Sequence, residues 1–109
     1  MGSLKQAIEN LKGKSVVVTG DTGFKGSWLS LWLHLAGAKV SGFALPAENS
    51  QTHFSQLGLE KIIRHQDGDV RDAAALKKFI NESEPEIVFH LVIVFGHATK
   101  QFHLYFVLC

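Results

Sequence analysis

Three glycines, at positions 20, 23 and 26, form a pattern in which backbone, not side chain, does the chemistry. The run Gly20-Asp21-Thr22-Gly23-Phe24-Lys25-Gly26 follows a β-branched stretch and opens an apolar segment that reads as a helix. In that setting the first glycine lets the chain turn sharply off a strand. The second removes a side chain where a pyrophosphate must approach the backbone. The third lets the helix sit close to the sheet. The helix N-terminus adds unpaired N–H groups and a partial positive charge. The chemistry implied is the binding of a dinucleotide. A tight turn that binds nothing is the competing explanation, and the flanking strand and helix weigh against it.

Asp69 is the second candidate. It follows an expected strand, at the carboxyl edge of the sheet where ligands bind. A carboxylate there can accept from an adenine amino group, with Val70 as an apolar wall beside the ring. A loop aspartate that satisfies local backbone N–H groups accounts for it equally well. The acidic residue that holds ribose hydroxyls about 20 positions after the glycines is missing. The segment there reads Phe43-Ala44-Leu45-Pro46-Ala47-Glu48, with Glu48 its one acid and no arginine. These residues leave NAD and NADP both open. Lys25 is either a phosphate contact or a solvated side chain.

Other reactive residues are weaker. His90, His97 and His103 suggest a metal, but a site needs at least three convergent ligands with supporting groups behind them. No metal site is expected. Tyr105 has no lysine four positions on, since Cys109 stands there. A tyrosine base working near pH 7 needs a cation beside it. No catalytic residue is assigned within this chain.

The elements that must position the glycines follow from hydrophobic periodicity. Ser3 to Leu11 reads as a short helix with capping-box spacing at Ser3 and Gln6, closed by Gly13. Ser15 to Thr19 is a buried strand. A helix runs from Gly23 to near Gly37. Its polar positions Ser27, Ser30 and His34 share one face, and Trp28, Leu29, Leu31, Trp32, Leu33 and Leu35 cover most of the rest. It is expected to be largely buried. Lys39 to Leu45 is a strand, and Pro46 to Gln56 a polar loop with Phe54 and Leu57 packing back. Lys61 to His65 is a weak strand. Ala73 to Ser83 is a helix capped by Asp72, with Leu76, Phe79 and Ile80 inward and Pro85 as its stop. Glu86 to Phe95 is a strongly apolar strand. The order strand, helix, strand, strand, helix, strand predicts an α/β fold: a partial, Rossmann-like, doubly wound parallel sheet of about four strands, truncated.

The 109 residues suit one small domain, and 46% apolar content permits a core. Eleven basic against ten acidic side chains give a net charge of +1, which supports neither a nucleic-acid nor a membrane partner. No signal peptide or spanning segment is read. The single cysteine allows no internal disulfide. A cytoplasmic chain is expected.

The run from Thr19 through Phe24-Lys25-Gly26-Ser27-Trp28-Leu29 to Leu33 resembles the opening of the CDP-glucose 4,6-dehydratases, extended short-chain dehydrogenase/reductases acting on nucleotide sugars. The glycine spacing fits the whole superfamily; the Phe-Lys-Gly-Ser-Trp-Leu run is much more specific to this branch. Gly68-Asp-Val-Arg-Asp72 and Pro85-Glu-Ile-Val-Phe-His-Leu91 are similar to later segments of the family. The resemblance implies tightly held NAD and a lyase reaction. The sugar C4 hydroxyl is oxidised, water is lost across C5 and C6, and the hydride returns to C6. It also implies a role in deoxysugars of bacterial surface polysaccharide such as O-antigen. Gly20, Thr22, Gly23, Phe24, Lys25 and Gly26 would line the pyrophosphate, and Asp69 and Val70 would hold the adenine. Homo-oligomers are implied for the family, through helices beyond this chain's end, as are its catalytic residues and sugar-nucleotide domain.

Asp21 departs from the histidine common in the family, a change expected to alter the turn only slightly. The larger departure begins at Val92, where small residues are expected and Val92-Ile93-Val94-Phe95 stands, bulky enough to crowd a nucleotide. Residues 1–91 are assigned to the N-terminal part of a dinucleotide-binding domain. Residues 92–109 are a divergent apolar tail. The abrupt loss of consistency favours a frameshifted or misjoined end. A genuine extension, with an added strand over Gln101 to Leu108, is the other reading.

Overall fold

A computed structural model of the chain describes residue 6 and residues 9–46, 52–95 and 100–108. Five strands form one sheet: β1 (Ser15–Thr19), β2 (Lys39–Ala44), β3 (Arg64–Asp67), β4 (Ile87–Phe95) and β5 (Lys100–Leu108). Their spatial order is β3-β2-β1-β4-β5. The first four are parallel, as expected, and β5 adds an antiparallel edge to β4. The helices are α1 (Phe24–Leu35), the single turns α2 (His53–Gln56) and α3 (Leu59–Ile62), and α4 (Ala73–Ser83).

The β-branched run of β1 is buried on both sides, as a central parallel strand must be. Val16 and Val18 face one core with Leu33 of α1, Phe54 of α2 and Leu59 of α3. Val17 faces the other with Phe43 and with Phe79 of α4. Strand alternation thus divides one sequence run between two helical layers, which is the doubly wound arrangement. Phe79 is fully buried, 5.1 Å from the Phe43 ring centroid. Phe79→Ala is expected to lose about 3–5 kcal/mol in chemical denaturation. A loss under about 1 kcal/mol would contradict this packing.

α4 begins and ends where Asp72 and Pro85 indicated. The Asp72 carboxylate accepts from the Ala75 N–H, and the chain leaves through Glu84 in the left-handed region. Gly13, at φ 79°, closes the N-terminal helix, of which residue 6 and residues 9–11 are described and Ser3 is not.

Two expectations are corrected. The buried face of α1 is the small one: Gly26, Ser27, Ser30 and Leu33 pack inward. Phe24, Trp28, Trp32 and Leu35 are exposed, Leu35 by 74%. Small residues let the helix approach the turn and sheet closely, so side-chain size overrides polarity. The third strand is displaced to Arg64–Asp67, because residues 59–62, overlapping the start of the strand read from Lys61, form a helical turn behind Gly58 at φ 65°. The polar loop also holds α2, where Phe54 packs back as expected.

β1 pairs with β4 up to Thr19 and His90. From Leu91 to Phe95, β4 is paired with β5, beyond the end of β1.

Candidate functional site: the glycine turn and the carboxyl edge of the sheet

The chain leaves β1 toward β2 on one side, while β4 lies on the other. The strand order therefore reverses beside the β1–α1 turn, and in open α/β sheets that crevice is where ligands bind. All three glycines of the turn lie there.

Each glycine has its own reason. Gly20 has φ 78°, and a Cβ there would approach the Leu91 carbonyl oxygen to 2.9 Å; its N–H donates to the Phe43 carbonyl. Gly26 brings α1 against the turn so closely that a Cβ would come within 1.9 Å of the Gly20 carbonyl oxygen. Gly23 is different. Its backbone is ordinary, at φ −75° and ψ 170°, and a Cβ would meet nothing nearer than the Gly20 carbonyl oxygen at 3.4 Å. Among the described residues, packing requires the two outer glycines and does not require Gly23. Gly23 is the N-cap of α1 and has no side chain to cap it, and the first turn of that helix holds no acid. An anion is the natural complement of such an end.

Thr22 Oγ1 donates to the Leu45 carbonyl at 2.9 Å and ties the turn to the end of β2. Phe24 and Lys25 are exposed at the start of α1. Gly68 passes over the Phe43 ring, where a Cβ would collide, and its N–H donates to the Ala44 carbonyl. This close crossing places Asp69 and Val70 at the carboxyl edge. They stand two strands away from the turn, about 10 Å at the usual strand spacing. Val70 packs against the core beside Phe79.

The Asp69 carboxylate accepts from the Arg71 backbone N–H at 2.9 Å and from its guanidinium at 2.6–3.0 Å. The Arg71 side-chain bonds hold its pKa down at about 2, so it is ionised across the working range. The local-aspartate role is present in this geometry. Its side chain keeps 31% exposure toward solvent.

One grouping, of Asp21 with His65 and Asp67, was not read from sequence. Asp21 is fully buried. Its Oδ2 lies 2.6 Å from His65 Nδ1, and His65 Nε2 lies 2.7 Å from Asp67 Oδ1. Asp21 Oδ1 has no hydrogen-bond partner among the described residues. The carboxylate fills the space over Gly42, where a Cβ would collide with it. Burial pushes the Asp21 pKa up against the opposing influence of His65. Burial works against charge on His65 too, but the bonds and charges of Asp21 and Asp67 outweigh it and raise its pKa. Asp21 ties the turn to β3 through His65. Asp21 and His65 are 44 residues apart, and only the pairing of β3 with β2 brings them together.

On the other side, His90 Nδ1 lies 2.7 Å from Thr19 Oγ1, which also accepts from the Leu91 N–H. Burial lowers the His90 pKa. That bond ties β1 to β4 beneath the turn. His97 and the side chain of His103 lie outside the described residues, as do the side chains of Val92 to Phe95.

Residues 16–103 match the model of the NAD dependent epimerase/dehydratase family. The chain is 50% identical over 80 residues to a CDP-glucose 4,6-dehydratase of Salmonella typhimurium, covering 73% of this chain and 22% of that protein. Among solved structures it is similar to an epimerase of Methanothermobacter thermautotrophicus, with TM-score 0.67 and 31% identity over 84% of this chain and 26% of the other. It is also similar to the enzyme WbmH of Bordetella bronchiseptica, solved in complex with NAD+, with TM-score 0.63 and 25% identity over 77% of this chain and 27% of the other. The chain thus spans about a quarter of the length of each.

Proposed function

Because the chain belongs to the NAD dependent epimerase/dehydratase family, we propose that it is the NAD-binding part of a nucleotide-sugar 4,6-dehydratase, a lyase acting on CDP-glucose. The observation that carries the cofactor reading is Gly23, the turn glycine whose missing side chain the protein's own packing does not need. The substrate reading rests on the Phe24-Lys25-Gly26-Ser27-Trp28 run and on the 50% identity to the Salmonella enzyme. Placement in cytoplasmic sugar-nucleotide metabolism supplying surface polysaccharide belongs to the same proposal. Among the described residues no helix is long and apolar enough to cross a membrane.

In this reading the backbone of Gly20 to Gly26 and the N-terminus of α1 hold the pyrophosphate. Ionised Asp69 accepts from the adenine amino group, and Val70 walls the ring. When bound, NAD supplies the hydride acceptor that a 4,6-dehydration needs and then returns the hydride. The residues of this chain bind and orient; none is assigned a proton-transfer role, and the tail from 92 onward is proposed to add none.

Calorimetry of the 109-residue chain with NAD tests this. Saturable binding that ADP competes away is the expected result, with no turnover of CDP-glucose by this chain alone. A folded chain that gives no heat with NAD would refute the cofactor reading.

A further inference from the structure

The ring of His65 is bracketed by two carboxylates. Nδ1 lies 2.6 Å from Asp21 Oδ2 and Nε2 lies 2.7 Å from Asp67 Oδ1. A neutral imidazole carries one N–H and would turn a lone pair toward one of these oxygens. With both carboxyls ionised, the two contacts are attractive together only when both ring nitrogens carry protons. We propose that His65, as an imidazolium, is a positioning residue for the cofactor turn: it clamps Asp21 from β3 and so fixes the backbone of Gly20 to Gly23 for the dinucleotide. The proposal rests on the cofactor reading above.

The geometry couples the parts tightly. Asp21 is the residue between Gly20 and Thr22, so its carboxylate cannot move without moving the turn. That carboxylate is fully buried, lies against the backbone of Gly42, and among the described residues its hydrogen-bonding partner is His65. Phe54 of α2 packs on the imidazole at 4.9 Å and holds the ring plane. Among the described groups, the charges acting on His65 are Asp21 from the turn and Asp67 from its own strand. Those acting on Asp21 are His65 and Asp67.

The sign of the pH dependence follows. His65 is held above the ordinary imidazole value of 6.5, and Asp21 above 3.8, so the folded turn binds more protons than the unfolded chain. Its stability therefore falls as pH rises. The contribution of His65 is fully present below pH 6.5 and is lost as pH rises through its elevated pKa. Past that point Asp21 is a buried carboxylate facing a neutral ring, a costly state that loosens the turn.

NAD titrations of the 109-residue chain from pH 6 to pH 9.5, with NMR of the His65 ring and the Asp21 to Gly23 amides, test the proposal. Affinity is expected to fall about tenfold with the midpoint of the His65 ring, the size of losing one charged hydrogen bond. The turn amides should shift with the same midpoint. In His65→Asn, whose amide can donate where Nδ1 does but does not titrate, both profiles should be flat over this range. Should that variant fail to fold, Asp67→Asn, a change at a side chain 61% exposed, should move both midpoints to lower pH. A His65 ring that titrates while the turn amides stay still overturns the clamp. So does an unchanged pH profile in either variant. Turn amides that follow His65 with no NAD binding at any pH would support the clamp and refute the cofactor reading.

Discussion

Gly23→Val is expected to abolish NAD binding while leaving the chain folded. The backbone at Gly23 lies in extended space open to any residue, and the nearest atom to a new Cβ is 3.4 Å away. The protein therefore accepts the side chain. As N-cap residue, valine is poorer than glycine, a cost of about 1 kcal/mol that leaves most of a domain's stability. The branched side chain instead stands over the first turn of α1, where a pyrophosphate must meet backbone N–H groups. Affinity should fall by roughly 100-fold or more, since the loss of several charge-assisted bonds at 1.5–3 kcal/mol each is involved. Calorimetry beside circular dichroism checks both halves. Unchanged affinity in a folded variant would mean that the turn is structural and holds no phosphate.

How legible the molecule is in its sequence depends on how far apart the interacting residues lie. α4 is local: Asp72 caps it three residues before its partner N–H, and Pro85 follows its end, so both bounds are readable. β1 is equally plain, a β-branched run between Gly13 and Gly20, and β2 begins just after Gly37. The face of α1 misleads because polarity and size disagree. Ser27 and Ser30 look like a solvent face, yet Ser27 Oγ satisfies itself on the Phe24 carbonyl and both are small enough for close packing. Trp28 and Trp32 count as core by hydropathy and are exposed by 47% each. The displaced β3 has the same kind of cause. Arg64, His65, Gln66 and Asp67 carry no strand pattern, because an edge position leaves them exposed or tied to polar partners.

The candidate site divides along the same line. The glycine turn is contiguous, and its type and spacing can be read directly. Asp69 and Val70 are placed by the strand before them. The Asp21–His65–Asp67 chain is invisible in sequence, since its geometry depends on β3 lying beside β2 and on Gly42 leaving room for a carboxylate. A buried aspartate in a strand-to-helix turn reads, one-dimensionally, as a polar loop residue.

Gly26→Ala sets two physical arguments against each other, and packing is expected to win. Gly26 lies inside α1, where alanine is the better helix former by about 1 kcal/mol and also restricts the unfolded chain. Those effects alone predict a stabilised protein. A Cβ at this position would come within 1.9 Å of the Gly20 carbonyl oxygen, 2.7 Å of its carbon and 3.0 Å of the Asp21 Cα. All three are backbone atoms, and Gly20 is itself fixed by its bond to the Phe43 carbonyl and by Leu91 behind it. Nothing can rotate away, so α1 must lift from the turn and uncover Leu33. The net loss is expected to be about 3 kcal/mol or more, a large part of what holds a domain of this size together. Urea denaturation should show a much lower midpoint, or no cooperative transition. A variant as stable as the parent would mean that α1 does not approach the turn this closely. The contrast with Gly23 would then lose its meaning, because that contrast separates a glycine that the described packing requires from one that it does not.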